Sequence, residues 1–403
     1  MSADDLWVGG LGWPYDDLLA ASLRGRGHQA SALGPLDHDA FERGTAALPR
    51  GQCAPALFTT GALLRRASAP DAGDGGRYLR LHSCGPCRYA LFGLGYERAL
   101  RVAGHTDVRL LDLDPSPRAL LAMWGEDGSR LGVDALLVGD ALAEGLRRLR
   151  PRVRDIEALE ARAQVVCAGL VAALEAGHDG CDALRVRADW AADLARLPDA
   201  PRPRVVLVGE PFSLHVDGPA QLNLPQVLAA AGAEIRVPPV ALWLAYQLWI
   251  ERQPAFGQSQ PVAAARVAEV ASLEAALRSR FDEMMAAFGV ADHFLPDVDH
   301  LAELAAPHLP GSWRAGYGHV EVGLALAAAE DGHAHLVVSI KSFGCLPSSS
   351  VADAILPAAL LGKLAFLSLE VASDGEAARE SRLALRLDAA RRLAEDQASR
   401  ALP

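Results

Sequence analysis

Residues 76–114 read GRYLRLHSCGPCRYALFGLGYERALRVAGHTDVRLLDLD. RYLRLHS has the apolar, β-prone character of a strand, PCRYALFGLGYERALRVAG has helical periodicity up to Gly104, and VRLLDLD (Val108 to Asp114) is a second strand. Strand, loop, helix and strand in one run make a βαβ unit, whose strands pair in parallel. The alternation extends upstream through the strand-like LWVGGL, a helix from Tyr15 to Arg26, the strand-like HQASAL (His28 to Leu33) and, after Cys53, the helix APALFTTGALLRRA. Downstream it stops. From Pro151 to about Pro198 two helical segments, Val153 to Ala176 and Cys181 to Leu197, are separated only by the turn GHDG.

PRPRVVLVGE then restarts the pattern with a strand from Val205 to Val208, a helix from Leu222 to Ala231, the strand AEIRVP and a helix from Trp243 to Ile250. It closes with LVVSIKSF, the loop GCLPS, a helix from Ser349 to Leu361, the strand AFLSLEV and a terminal helix from Glu376 to Arg400. The fold class expected is α/β, with parallel sheets covered on both faces. An N-terminal α/β domain occupies 1–150, a helical connector 151–200 and a C-terminal α/β domain 201–403.

The chain has 403 residues, 51% of them hydrophobic, enough for large cores in more than one domain. Lys plus Arg number 39 against 50 Asp plus Glu, a formal charge of −11, and no basic tract stands out. A nucleic-acid partner is therefore not expected, because neutralising phosphates needs a concentrated positive face. MSADDLWVGG lacks the basic and apolar regions of a secretory signal, and no apolar run approaches the ~20 residues that span a bilayer, so the expectation is a cytoplasmic protein without a membrane partner.

Six cysteines in a reducing compartment point to metal ligation, redox chemistry or plain burial rather than disulfides. CGPC at 84–87 puts Cys84 and Cys87 in a strand-to-helix loop, where the helix N-terminus favours thiolate. Thioredoxin-like redox chemistry uses the same spacing. Cys53 lies in GQCAP and Cys345 in FGCLPS, so each cysteine loop has Gly or Pro beside it. Ligands of open α/β sheets lie beyond the carboxyl ends of strands, so such loops can meet between two domains. Four thiolates from three loops suit an iron–sulfur cluster or a zinc site. The plainer alternative is a fortuitous CGPC with Cys53 and Cys345 as small core residues, and for Cys167 and Cys181, which have no turn chemistry, core burial is the expectation.

GQCAPALFTTGALLR, CGPCRYALFGLGYERALRVAG, VGEPFSLH and IKSFGCLPSSSVADAILPAAL resemble segments of the 2-hydroxyacyl-CoA dehydratase, benzoyl-CoA reductase and double-cubane-cluster superfamily. The similarity is greatest to the cluster-binding part of proteins of the CoA-substrate-specific enzyme activase type, and touches residues ~45–115 and ~200–390 through three cysteine motifs in order. The resemblance implies two flavodoxin-like domains with a 4Fe-4S cluster between them, held by Cys53, Cys87 and Cys345, with Cys84 as the fourth ligand of the CGPC variant. An eight-iron double-cubane cluster and zinc are the alternative cofactors. The chain departs from the pattern where relatives read GPCRFGQY or GPCRFGMY and this sequence has GPCRYALF, and where PFGC has become SFGC.

It also implies an activity: radical reduction or dehydration of an acyl-CoA or other small substrate, driven by low-potential electrons from a separate ATPase activator of actin-like fold. Two alternatives are a non-catalytic iron–sulfur electron-transfer or scaffold subunit, paired with a homologous subunit or a second copy, and a structural zinc protein. Three cysteine ligands leave an iron open to substrate and four make a relay. Arg88, Glu210, His215 and Lys341 are the weaker catalytic candidates. Arg88 follows Cys87 but at a helix start is ordinarily solvated or salt-bridged, Glu210 and His215 in VGEPFSLH are ordinarily polar loop residues, and Lys341 is ordinarily exposed. His333 and His335 show no HExxH spacing, and neither GxxxxGK followed by Ser or Thr nor GxGxxG after the first strand occurs.

Overall fold

Among the described residues, eight short strands form two four-stranded sheets, each wholly parallel, with Val, Leu and Ile concentrated in Arg204–Gly209 and Leu336–Ser342. The structure, a computed structural model, describes residues 5–72, 75–81, 87–113, 117–254, 261–290, 292–313, 316–332, 334–371 and 376–401. The first sheet contains β1 (Asp5–Val8), β2 (Ala30–Ala32), β3 (Gly76–Leu81) and β4 (Arg109–Leu113), in the order β2-β1-β3-β4. The second contains β5 (Arg204–Gly209), β6 (Glu234–Arg236), β7 (Leu336–Ser342) and β8 (Ala365–Val371), in the order β6-β5-β7-β8. The two halves thus repeat one permutation of strands. Each has a reversal of winding at its centre, between β1 and β3 and between β5 and β7, where ligands of open α/β sheets bind.

β5 and β7 are covered on both faces, so RVVLVG and LVVSIKS are almost entirely buried. β4, at a sheet edge, is mostly outside the core. Between the sheets in sequence run the helices Pro117–Leu149, Ile156–Glu175 and Gly180–Arg185. The helix Tyr15–Arg24 packs against the first two, and Asp140 on the long helix reaches into the second half. Asp140 accepts hydrogen bonds from the Val240 and Ala241 amides at 2.8 and 2.9 Å and from Tyr15 Oη at 2.9 Å. One buried carboxylate therefore caps the helix Val240–Arg252 and ties it to the first half. The ring pair Phe58–Phe212, with centroids 6.1 Å apart, continues a single core across both sheets.

One expected helix is shorter than its periodicity. The segment Cys181 to Leu197 is α-helical only over Gly180–Arg185, and the chain then runs through successive i→i+3 turns. The Arg187 guanidinium folds back onto the carbonyls of Ala183 and Gly169, both at 2.7 Å, and so terminates the helix. Helices at His38–Ala47, Ala264–Ala287, Val298–Ala305 and Gly318–Glu330 complete the cover of the sheets. No helix among the described residues is long and apolar enough to cross a membrane.

Candidate thiol site between the sheets

Cys53 stands at the turn of a helical hairpin. His38–Ala47 and Ala54–Ala67 cross so closely that a Cβ on Gly44 would lie 1.8 Å from the Leu57 carbonyl oxygen, and one on Gly61 1.7 Å from that of Ala40. The two glycines permit the crossing that sets the turn, and Cys53 caps the second helix. Cys87 follows β3 and caps the 3-10 turn Arg88–Leu91. Cys345 follows β7, ahead of the π-helical turn Ser348–Ala352.

The Cys87 sulfur accepts from the Tyr89 amide of the turn it precedes at 3.5 Å, the Cys345 thiol donates to Ser348 Oγ at 3.7 Å, and the Ala56 amide beside Cys53 goes to the Cys53 carbonyl at 3.1 Å. A first-turn N–H group such as that of Tyr89 favours an anionic sulfur.

Arg88 joins the three loops. Its Nη1 donates to the Gly51 carbonyl at 2.6 Å, two residues before Cys53, and its Nη2 to the Gly344 carbonyl at 2.9 Å, directly before Cys345. The guanidinium is rigid and forked, so one side chain fixes both neighbours relative to Cys87. Arg80 supports this turn from below: it pairs bidentately with Asp112 across the β3–β4 register, at 2.7 and 2.6 Å, and donates to the Tyr89 carbonyl at 3.3 Å.

Glu210, the buried residue after β5, is the second convergence point. Gly209 before it has φ of +142° and lies where a Cβ would be 1.8 Å from the Ile340 carbonyl oxygen, so only glycine lets β5 end this close to β7. The Glu210 carboxylate accepts from the amides of Phe212 and Ser213 at 3.0 and 3.1 Å, from Ser342 Oγ at 3.0 Å and from Ser213 Oγ. Burial raises its pKa, and these hydrogen bonds hold it down. Its charge acts on all three thiols. Burial first, with Glu210 adding to it, pushes Cys53 up to about 11 and Cys345 up to about 12, and raises Cys87.

The structure therefore brings together Cys53, Cys87, Cys345, Arg88 and Glu210. Cys84 lies outside the described residues. Arg88 is exposed but bonded to loop carbonyls rather than free in solvent or paired with an acid. Glu210 and His215 are not ordinary loop residues, since both are buried. His215 does not reach the thiols; its ring lies edge-on to Tyr15 with centroids 6.2 Å apart, and neither ring nitrogen has a hydrogen-bond partner. Lys341, expected at the surface, is fully buried because Asp353 Oδ1 and Ser368 Oγ take its ammonium at 2.5 and 2.6 Å. Cys167 and Cys181 are buried away from the thiol site, Cys167 within the helix Ile156–Glu175 and Cys181 beside Arg280 at 3.1 Å.

Residue-type reasoning missed Asp16, Ser342 and Ser348. Asp16, in the first turn of the helix Tyr15–Arg24, accepts from the amides of Gly10, Leu11 and Gly12 in the loop after β1 at 3.1, 3.1 and 2.8 Å. Those amides are thus turned inward, and the glycine-rich loop is not an open phosphate cradle. The serines gave one sequence signal, the run SSS after FGCLP.

Three cysteines thus stand on three loops that one arginine fork holds together, with an amide donor at the Cys87 sulfur. Among the described residues, no group of three or more His, Cys, Asp or Glu is placed so that it could hold a metal ion. In comparisons with known proteins, the chain matches no family model and no curated protein sequence.

Proposed function

We propose that the chain is a 4Fe-4S protein of the 2-hydroxyacyl-CoA dehydratase-like type, acting in the cytoplasm on an acyl-CoA or other small substrate with electrons from a separate ATP-driven activator of actin-like fold. The observation that carries the reading is the Arg88 fork, which bonds the backbone beside Cys53 and beside Cys345 while adjoining Cys87. Loops far apart in the chain, at Gly51 and Gly344, are held together for no evident purpose of packing, since Arg88 is exposed.

Among the described residues, Glu210 is the one negative charge that acts on all three thiols, and it would attract a bound cation. Burial and Glu210 keep the metal-free thiols protonated, and a bound cation reverses that preference by ionising them outright. A 4Fe-4S cluster supplies low-potential one-electron chemistry when bound. Cys53, Cys87 and Cys345 would hold it, with Cys84 as the fourth ligand of a relay, and Glu210 would add a fixed negative charge that disfavours reduction. Phe343 and Leu346 flank Cys345 and Leu91 and Leu94 follow Cys87, all exposed, giving the site an apolar approach for an acyl chain or a partner's surface.

The test is single-turnover reduction of the anaerobically purified protein by an ATP-dependent donor, with electron paramagnetic resonance before and after adding acyl-CoA. A reduced signal that decays only when acyl-CoA is present supports catalysis at the site. A signal unaffected by acyl-CoA but lost to a second, homologous subunit assigns a relay, and a protein that takes no electron refutes the reading.

A further inference from the structure

Behind Cys345 runs a line of buried polar groups that the thiol site does not use. Asp353, whose side chain is 28% exposed, receives Lys341 Nζ at 2.5 Å and Ser368 Oγ at 3.0 Å. Lys341 also donates to Ser339 Oγ at 3.3 Å, and Ser339 Oγ donates to Glu321 Oε1 at 2.7 Å. Ser348 acts on the same Glu321 carboxyl and accepts from the Cys345 thiol at 3.7 Å. The line thus runs from solvent at Asp353 to Glu321, whose charge acts on the Cys345 thiol.

A structural ion pair would end at Lys341 and Asp353. Here the line continues to Glu321, which is fully buried and has one oxygen, Oε2, without a hydrogen-bond partner. Stability alone does not favour a second buried acid left half-satisfied. The line also passes the π-helical turn Ser348–Ala352, a distortion that recurs at functional sites.

We propose that Glu321 is the proton acceptor of the thiol site, filled from solvent through Asp353, Lys341 and Ser339 when the site gains an electron. This rests on the iron–sulfur reading above. The step balances: one electron arrives from the low-potential donor, one proton arrives from water, and the buried region gains no net charge. Lys341 passes a proton to Ser339, Ser339 passes its own to the Glu321 carboxylate, and Lys341 is refilled at Asp353. The groups acting on Glu321 are Lys341 and Asp353 across the sheet and the following helix, Tyr317 at the start of its own helix, and Cys345. Burial already raises its pKa, and negative charge added at Cys345 raises it further.

The experiment is a redox titration of the anaerobically iron-loaded full chain between about pH 6 and 9, beside Glu321→Gln. Gln keeps the acceptor for Ser339 but cannot titrate, so a purely structural role would leave the pH slope unchanged. The wild-type midpoint should fall by about 59 mV per pH unit, the one-electron equivalent of a tenfold change in proton concentration. Glu321→Gln should hold the same iron with a flat profile. A variant that keeps the wild-type slope overturns the proposal, and so does an iron-loaded wild type with a flat profile, which leaves the iron–sulfur reading standing. A wild type that binds no iron overturns both. If Glu321→Gln fails to fold, the wild-type redox-difference infrared spectrum decides: a protonated carboxyl band that grows on reduction is expected, and its absence overturns the proposal.

Discussion

Arg88 and Glu210 do opposite work on the same three sulfurs. Arg88 gathers the loops through backbone carbonyls, so removing it should cost little folding free energy, about 1–2 kcal/mol for two hydrogen bonds from a charged donor at an exposed position. Its cost to the site is larger. Arg88→Ala should lose most bound iron while its thermal unfolding midpoint moves by only a few degrees, and Arg88→Lys should recover iron only in part because an ammonium lacks the fork. Iron analysis and calorimetry on the two variants check this. Glu210 instead opposes added negative charge. In the iron-loaded protein Glu210→Gln should raise the reduction potential by tens of millivolts, as expected for a nearby charge worth about 1 kcal/mol, and an unchanged or lower midpoint would contradict the assignment.

At the scale of elements, the central strands β5 and β7 were legible because parallel strands covered on both faces leave apolar runs, as in RVVLVG and LVVSIKS, and the edge strands β2, β4 and β6 from their place in the alternation with helices. The cysteine loops were legible from Gly and Pro beside each Cys. The helices that cover the sheets were harder to read: Gly318–Glu330 is buried nearly all round, so it has no amphipathic period, and Cys181 to Leu197 is ended by Arg187, which bonds the Ala183 carbonyl and that of Gly169 on another helix. Lys341 and Glu321 were illegible for a related reason, since their partners are near in space and far in sequence.

The short helix Pro211–His215 yields a pH prediction. Burial lowers the His215 pKa from 6.5 to about 3, so the folded chain refuses a proton that the unfolded chain takes. Stability from this group is complete above pH 6.5 and is lost as pH falls towards 3, by about 2 kcal/mol at pH 5. Asp16, raised by burial to about 7, has the opposite slope: its contribution falls as pH rises from 3.8 to 7. His215→Phe should therefore gain stability relative to wild type as pH drops from 8 to 5, measured by urea unfolding at both pH values. An equal difference at both would show that burial does not lower the His215 pKa.

For the whole molecule, the repeated strand order turns two ordinary α/β units into one site. The carboxyl ends of β3, β5 and β7 supply Cys87, Glu210 and Cys345, and the helical hairpin supplies Cys53. The long helix Pro117–Leu149, through Asp140, holds the halves in register. Cys167 and Cys181 take part only in packing on this account. The most direct measurement is iron and acid-labile sulfide per chain after anaerobic purification, for wild type and for single alanine variants of Cys53, Cys87, Cys345, Cys167 and Cys181. About four of each are expected in wild type and in the Cys167 and Cys181 variants, with loss in the other three. A wild type without iron, or full iron in Cys345→Ala, would contradict the shared site.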